Sequence, residues 1–308
     1  MKPAQCRFFS WNYFMHLEWL ALISAFLWAS GSLLSAIPAK HMGTFAFSRW
    51  RMIVVTTMLG VLSFITHGFE TIQISQVGLM ALSGFIGIFI GDTALYACMN
   101  CIGPRRSSLL FATHAVFSAC FGFFLFDERF GWMTLLGAVL VLSGVLLAIL
   151  GNSNSANHYE QIHGKLFYGV GLGLIAGLCQ SFGTIIAKPV MASGVDPIAA
   201  SSVRMVVALA AHLFIRFLSL PVTKTKHPMT YRMFGIICLN GLMAMVIGMT
   251  LFMFALRHGD VTLVSILSTT SPVMLLPILW ITTRQRPSKG AWFGACFVVL
   301  GTAMVLLR

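Results

Sequence analysis

Ten stretches of this chain are apolar for about 20 residues at a time, the length an α-helix needs to cross a bilayer core of roughly 30 Å. They cover residues 18–37, 43–65, 75–101, 105–126, 131–150, 165–189, 197–220, 231–257, 260–283 and 289–307. In lipid every backbone N–H and C=O must be satisfied within its own segment, so a run of this kind becomes a helix. The connections are short and collect the turn-forming and polar residues: HGFETIQ, DERF, GNSNSANHYEQIHGK, PVTKTKHPMT and RQRPSK. None has room for a soluble domain. Only 9% of the 308 residues are charged and 58% are hydrophobic, whereas a soluble protein carries about a quarter charged residues. The expected fold is an all-α membrane protein with ten transmembrane helices.

Those ten runs read as two copies of five. A shift of 157 residues carries Gly78, Gly84, Gly91, Gly137 and Gly144 onto Gly235, Gly241, Gly248, Gly294 and Gly301. The same shift carries Thr93, Ser108, Thr113 and Ala138 onto Thr250, Ser265, Thr270 and Ala295. Upstream, RMIVV from Arg51 matches RMVVA from Arg204 with a shift of 153. One glycine match means little in membrane helices, but a set in a single register marks an internal repeat. An odd number of spans per copy forces the second copy to enter the membrane from the opposite side. Two inverted five-helix repeats follow, a construction used by secondary transporters. The expected divisions are a tail at 1–17, a first repeat at 18–151, a linker at 152–164 and a second repeat at 165–308.

The net charge of +12 does not point to nucleic acid, because the Lys and Arg lie in gaps between apolar runs and form no basic face. Positive-inside counting places the richer set of loops, with Lys40, Arg49, Arg105, Arg106, Lys224, Lys226 and Arg232, in the cytoplasm and both termini outside. The seven cysteines lie mostly within apolar segments as small hydrophobes. Cys98 and Cys101 have C-x-x-C spacing but no neighbouring ligands or βαβ pattern, so neither a metal nor a cofactor is expected. The first seventeen residues lack a cleavable-signal pattern, and Met15 is an alternative start.

Of eight acidic residues only Asp92 lies deep in an apolar segment. Such a residue costs roughly 2.5–3.5 kcal/mol at a helix centre on insertion scales and is a functional candidate by default. The second copy has Met249 at the equivalent position. Asp92 lies eleven residues before Gly103 and His114 eleven after it, so both are expected about 16 Å below the same turn. A carboxylate and an imidazole at one depth can carry a proton or bind a substrate amine; the alternative is a structural pair. Trp28 and Ser32 in the first helix, Tyr96 one turn from Asp92, and Gln180 and Thr184 in the sixth helix are candidate cavity residues, as are Thr270 and Ser271. Packing between helices explains such polar residues equally well. Pro272 predicts a helix break in the ninth span. Arg51 and Arg204 are expected to be structural, reaching the interface or pairing with helix-end carbonyls. GIFIG (87–91) and GVGLGLIAG (169–177) are faces for close helix approach.

DERFGWMTLLGAVLVLSGVLL (127–147), TTSPVMLLPILW (269–280) and WFGACFVVLGTAMVLL (292–307), with the paired Arg51 and Arg204, give the chain a recognisable cast. It resembles the drug/metabolite transporter superfamily, in particular its EamA-type ten-helix permeases. Glu128, followed by Arg129, fits the short turn after the fourth helix and is implied to be an interface charge. Two departures stand out: His114-Ala115-Val116 replaces the Ser-Pro-Val seen in the second copy, and Gln285-Arg286 replaces a Glu-Arg. The resemblance implies termini in the cytoplasm, opposite to the charge count.

No H-E-x-x-H, G-x-S-x-G or G-x-x-x-x-G-K-[ST] occurs, so neither a membrane enzyme nor a primary pump is expected. The expected function is secondary transport, by alternating access, of a small metabolite such as an amino acid or amine, outward across a bacterial-type inner membrane and coupled to protons through Asp92. A non-transporting membrane subunit or scaffold, or a carrier of anionic or phosphorylated metabolites, are the alternatives. The expected partners are the substrate, protons and lipid, and the chain is expected to act as a monomer or homodimer.

Overall fold

The computed structural model describes residues 19–126, 131–150, 166–284 and 289–306. Among these, ten long helical segments follow one another. They are α1 (Trp19–Met42), α2 (Thr44–Ile65), α3 (Ile74–Ile102), α4 (Pro104–Phe111 continued by His114–Phe126) and α5 (Trp132–Leu150), then α6 (Leu166–Ala192), α7 (Pro197–Phe217), α8 (Tyr231–His258), α9 (Val261–Ser268 continued by Ser271–Thr283) and α10 (Lys289–Leu306). Eight are long and apolar enough to cross a membrane, and α5 and α10, of 19 and 18 residues, complete the two sets. Their outward faces are apolar: Phe167 is 90% exposed and Phe124 77%. Large side chains so placed belong against lipid.

Two turns are set by glycine. Gly43 between α1 and α2, at φ 88°, and Gly103 between α3 and α4, at φ 87°, occupy backbone conformations that cost other residues strain. Each reverses the chain with a single residue between helices, so α1 runs antiparallel to α2 and α3 to α4. Elsewhere a side chain starts the helix. Asp196 Oδ1 accepts hydrogen bonds from the N–H groups of Ile198 (3.0 Å) and Ala199 (2.9 Å), and Pro197 fills the first helical position of α7.

The repeat is visible in the backbone. From α3 onward the second copy's helices begin 157 residues after the first copy's, and an irregular feature recurs with them. Phe85–Asp92 in α3 and Gly241–Met249 in α8 are both π-helical, a wider winding that frees carbonyls and is frequent at functional sites. The contacts are reciprocal as well. A methyl added to Gly144 on α5 would lie 2.5 Å from the Gly294 carbonyl oxygen on α10, and one on Gly301 would lie 2.5 Å from that of Gly137. Each of these contacts is the other after the 157-residue shift, which is the signature of a two-fold relation. Early α5 meets late α10, so equivalent helices run antiparallel and the repeats are inverted.

The expected break in α9 is present at Thr269 and Thr270, ahead of Pro272. The proline is not its general cause, because α4 breaks at the equivalent Ala112 and Thr113 without one. Both breaks share a threonine hydroxyl turned back onto the chain: Thr113 Oγ1 donates to the Leu110 carbonyl (2.7 Å) and Thr270 Oγ1 to that of Leu267 (2.8 Å).

Candidate functional site

Between the repeats lies a cavity with about 680 Å³ of empty space, part of it open to solvent. It is walled by α1, α2, α3 and α4 of the first repeat and α6, α8 and α9 of the second. Its lining descends from Met99 and Ser107, near the Gly103 turn, to Gln180 and Met249 near mid-membrane. Of the residues named from sequence, Trp28, Ser32, Tyr96, Gln180, Ser271 and Asp92 all line it.

Asp92 ends the π-helical segment of α3 and is 6% exposed. Its Oδ2 accepts from Arg51 Nη2 at 2.7 Å, and Arg51 Nη1 donates to the Tyr96 hydroxyl. The guanidinium carbon lies 4.6 Å from the Tyr96 ring centroid, while Phe47 packs edge-on to Tyr96 at 4.9 Å. Arg51 itself is fully buried. Arg51 therefore does not snorkel: it supplies the counter-charge that makes an intramembrane acid tolerable. The two stand at a comparable depth on adjacent helices, Arg51 eight residues past Gly43 and Asp92 eleven before Gly103, and that was the signal in the sequence for this pairing.

The expected Asp92–His114 pair does not form. His114 is buried, with Nε2 3.3 Å from Ser268 Oγ on α9 and Nδ1 without a partner among the described residues. Asp92 closes the π-helical segment and meets Arg51 of α2, while the break at Ala112–Thr113 starts His114 on a new helical segment that meets Ser268 of α9. Thr184 and Thr270 are not lining residues either. Their hydroxyls donate to the carbonyls of Gln180 (2.9 Å) and Leu267 (2.8 Å), where they shape the helices. Glu128 lies outside the described residues.

The remaining polar groups divide into tied and untied. Trp28 Nε1 donates to the Ala244 carbonyl at 2.9 Å, and Ser24 Oγ to that of Gly248 at 2.6 Å, both in the π-helical segment of α8. Ser32 and Ser108 hydroxyls meet at 3.3 Å. The Gln180 amide nitrogen, on a residue only 2% exposed, finds no partner among the described residues. The cavity thus offers an ion pair at one wall, an unused amide at mid-membrane, and apolar surface from Met99, Phe111, Met245 and Met249. It can hold a small molecule with opposite charges close together and an apolar remainder.

Arg204 is also fully buried, so the expected interface role fails for it too. Its Nη1 lies 3.4 Å from Met249 Sδ and 3.5 Å from Met253 Sδ, and Nε and Nη2 have no partner among the described residues.

The profile of the EamA-like transporter family matches this chain twice, at residues 17–150 and 167–307, one match for each repeat. The chain belongs to the EamA-like transporter family. A curated relative described as "Uncharacterized transporter", from Clostridium kluyveri, is 22% identical over 151 residues. That match covers 46% of this chain and spans about half, 47%, of the relative. A solved structure titled "Crystal structure of protein" has a TM-score of 0.74 at 15% identity, covering 95% of this chain and 96% of that one; at that identity it shows a shared fold. As an EamA-like protein the chain is a multi-pass integral membrane protein, and its family is one of transporters, not of enzymes.

Proposed function

We propose that the protein is a secondary transporter that exports a small amino acid or related zwitterion by alternating access, with Asp92 as its coupling group. The observation that carries this reading is the Arg51–Asp92 pair in the wall of the central cavity. A zwitterion can open that pair from the cavity side, its carboxylate taking the guanidinium and its ammonium taking the carboxylate. Proton and ammonium then compete for one carboxylate, which is the requirement for antiport. Gln180 supplies a further hydrogen bond, and the methionines and Phe111 receive the apolar part.

A simple amine is disfavoured, since Arg51 already neutralises Asp92 and Arg204 adds a second cation nearby. The same surplus positive charge favours, as a second reading, a carrier of organic or phosphorylated anions. We assign the two transport units to residues 18–151 and 165–308. The face bordered by Gly43 and Gly103 carries Lys40, Arg49, Arg106, Lys224, Lys226 and Arg232, while the exposed acids among the described residues, Glu70 and Asp260, lie at the other. Positive-inside logic puts the first face, toward which the cavity lining rises, in the cytoplasm of a bacterial-type inner membrane, as an exporter waiting to load requires.

The test is flux into proteoliposomes with and without an imposed proton gradient, using labelled amino acids, amines, organic acids and phosphate esters. Amino-acid transport that accelerates with the gradient and is lost in Asp92→Asn is the expected result. Transport of anions alone would select the second reading, and no flux of any class in correctly inserted protein would remove both.

A further inference from the structure

The two repeats place an arginine over the same pair of positions and give it different neighbours. Arg51 meets Asp92 and Tyr96; Arg204 meets Met249 and Met253, their counterparts after the 157-residue shift. Thioether sulfur is a weak acceptor, so Arg204 is a fully buried cation whose remaining donors are unmatched among the described residues. A charge in that position calls for an opposite charge in some state of the molecule. Among the described residues, Asp92 is the only acid in the membrane interior, and Arg204 is within electrostatic reach of it.

We propose that Arg204 is the second station of Asp92: the carboxylate rests on Arg51 in the conformation seen here and transfers to Arg204 when the cavity opens to the other face. This inference rests on the alternating-access reading above. Inverted repeats reach their second conformation by exchanging roles. Each repeat has its arginine, but only one acid serves both, so an exchange of roles moves the acid's allegiance. The parts needed are in place. Asp92 ends a π-helical segment whose glycines let α3 ride directly on α6: a methyl on Gly183 would lie 2.9 Å from the Gly87 Cα. A methyl on Gly87 would in turn lie 3.2 Å from Arg204 Nη2, so the same crossing touches the waiting guanidinium. Met249 lines the same cavity as Asp92 and contacts Arg204 Nη1, and its unbranched side chain gives way readily.

Two measurements decide the matter. In the double variant Asp92→Met with Met249→Asp the acid moves to the second repeat, so the resting state should turn over. Spin labels at positions 106 and 232 on the Gly103 face should approach one another, and labels at 75 and 260 on the opposite face should separate. Unchanged distances in folded protein would overturn the proposal. This readout needs no substrate, so it stands even if flux assays reject the assigned substrate class. Should the double variant not fold, Arg204→Met decides. It should lower the maximal transport rate about tenfold or more while leaving KM within about threefold, with partial recovery in Arg204→Lys. A purely structural arginine would leave that rate unchanged in well-folded protein, and that outcome would sink the idea.

Discussion

The two halves of this molecule share a backbone plan down to an unusual winding, yet treat the same buried arginine in opposite ways. In the first repeat Arg51 is held by a carboxylate at 2.7 Å and by a phenol. In the second, Arg204 is met by two thioethers at 3.4 and 3.5 Å. Backbone symmetry comes from small residues and hydroxyls that allow helices to cross and break, and these repeat along the chain. Chemistry is concentrated where the repeat fails, at positions 92 and 249 and at 96 and 253. A duplicated frame supplies two equivalent conformations, and the unequal side chains determine which is occupied.

The strongest way to break that contrast is to remove each arginine in turn. Arg51→Met leaves Asp92 buried without its partner, and loss of one member of a buried pair costs about 3–5 kcal/mol. Arg204→Met removes a cation with no hydrogen-bonded anion among the described residues, so it should leave thermal stability in detergent unchanged or higher. Equal losses from the two variants would show that the arginines play the same part and that the asymmetry is incidental. Asp92→Asn follows in size. It keeps the shape but weakens the hydrogen bonds to Arg51 by the loss of charge, a change of roughly 1.5–3 kcal/mol. Proton-coupled transport should vanish while membrane insertion persists, read by flux beside a fluorescent folding reporter.

Most of the frame could be read from the sequence because membrane helices have few ways to satisfy their backbones, and because duplication printed glycines and hydroxyls in register. Asp92, Tyr96, Trp28, Ser32, Gln180 and Ser271 line the cavity and are legible for a related reason: polar groups inside apolar runs face away from lipid. The pairing was not legible. Counting 1.5 Å per residue from Gly103 gives depth, but facing depends on winding: Asp92 closes the π-helical segment of α3, and α4 breaks at Ala112–Thr113 just before His114. Snorkelling suits an arginine near a helix end, whereas Arg51 and Arg204 have their guanidinium groups in the protein interior.

Where the halves agree, matched substitutions should cost the same. Gly144→Leu and Gly301→Leu each drive a side chain toward a backbone carbonyl, with the first added carbon already at 2.5 Å. Overpacking of this kind typically costs 1–3 kcal/mol, and the two values should lie within about 0.5 kcal/mol of one another. A large difference in thermal unfolding would mean that the α5–α10 crossing is less symmetric than its reciprocal contacts indicate.

The smallest expected effect concerns the helix breaks. Pro272 stands just past the break in α9, at the second residue of Ser271–Thr283, where a missing N–H leaves no helical bond unmade. Its main contribution is to restrict the unfolded chain, so Pro272→Ala should cost about 1 kcal/mol or less and leave the break in place. Thr270→Val should do more, because it removes the hydroxyl that caps the Leu267 carbonyl at the break. The paired variant Thr113→Val applies the same change to α4, which has no proline to fall back on. Structures of the three variants, compared at residues 110–114 and 267–271, discriminate between the two causes. A continuous α9 in Pro272→Ala would return the break to the proline, and α4 would then need a separate explanation.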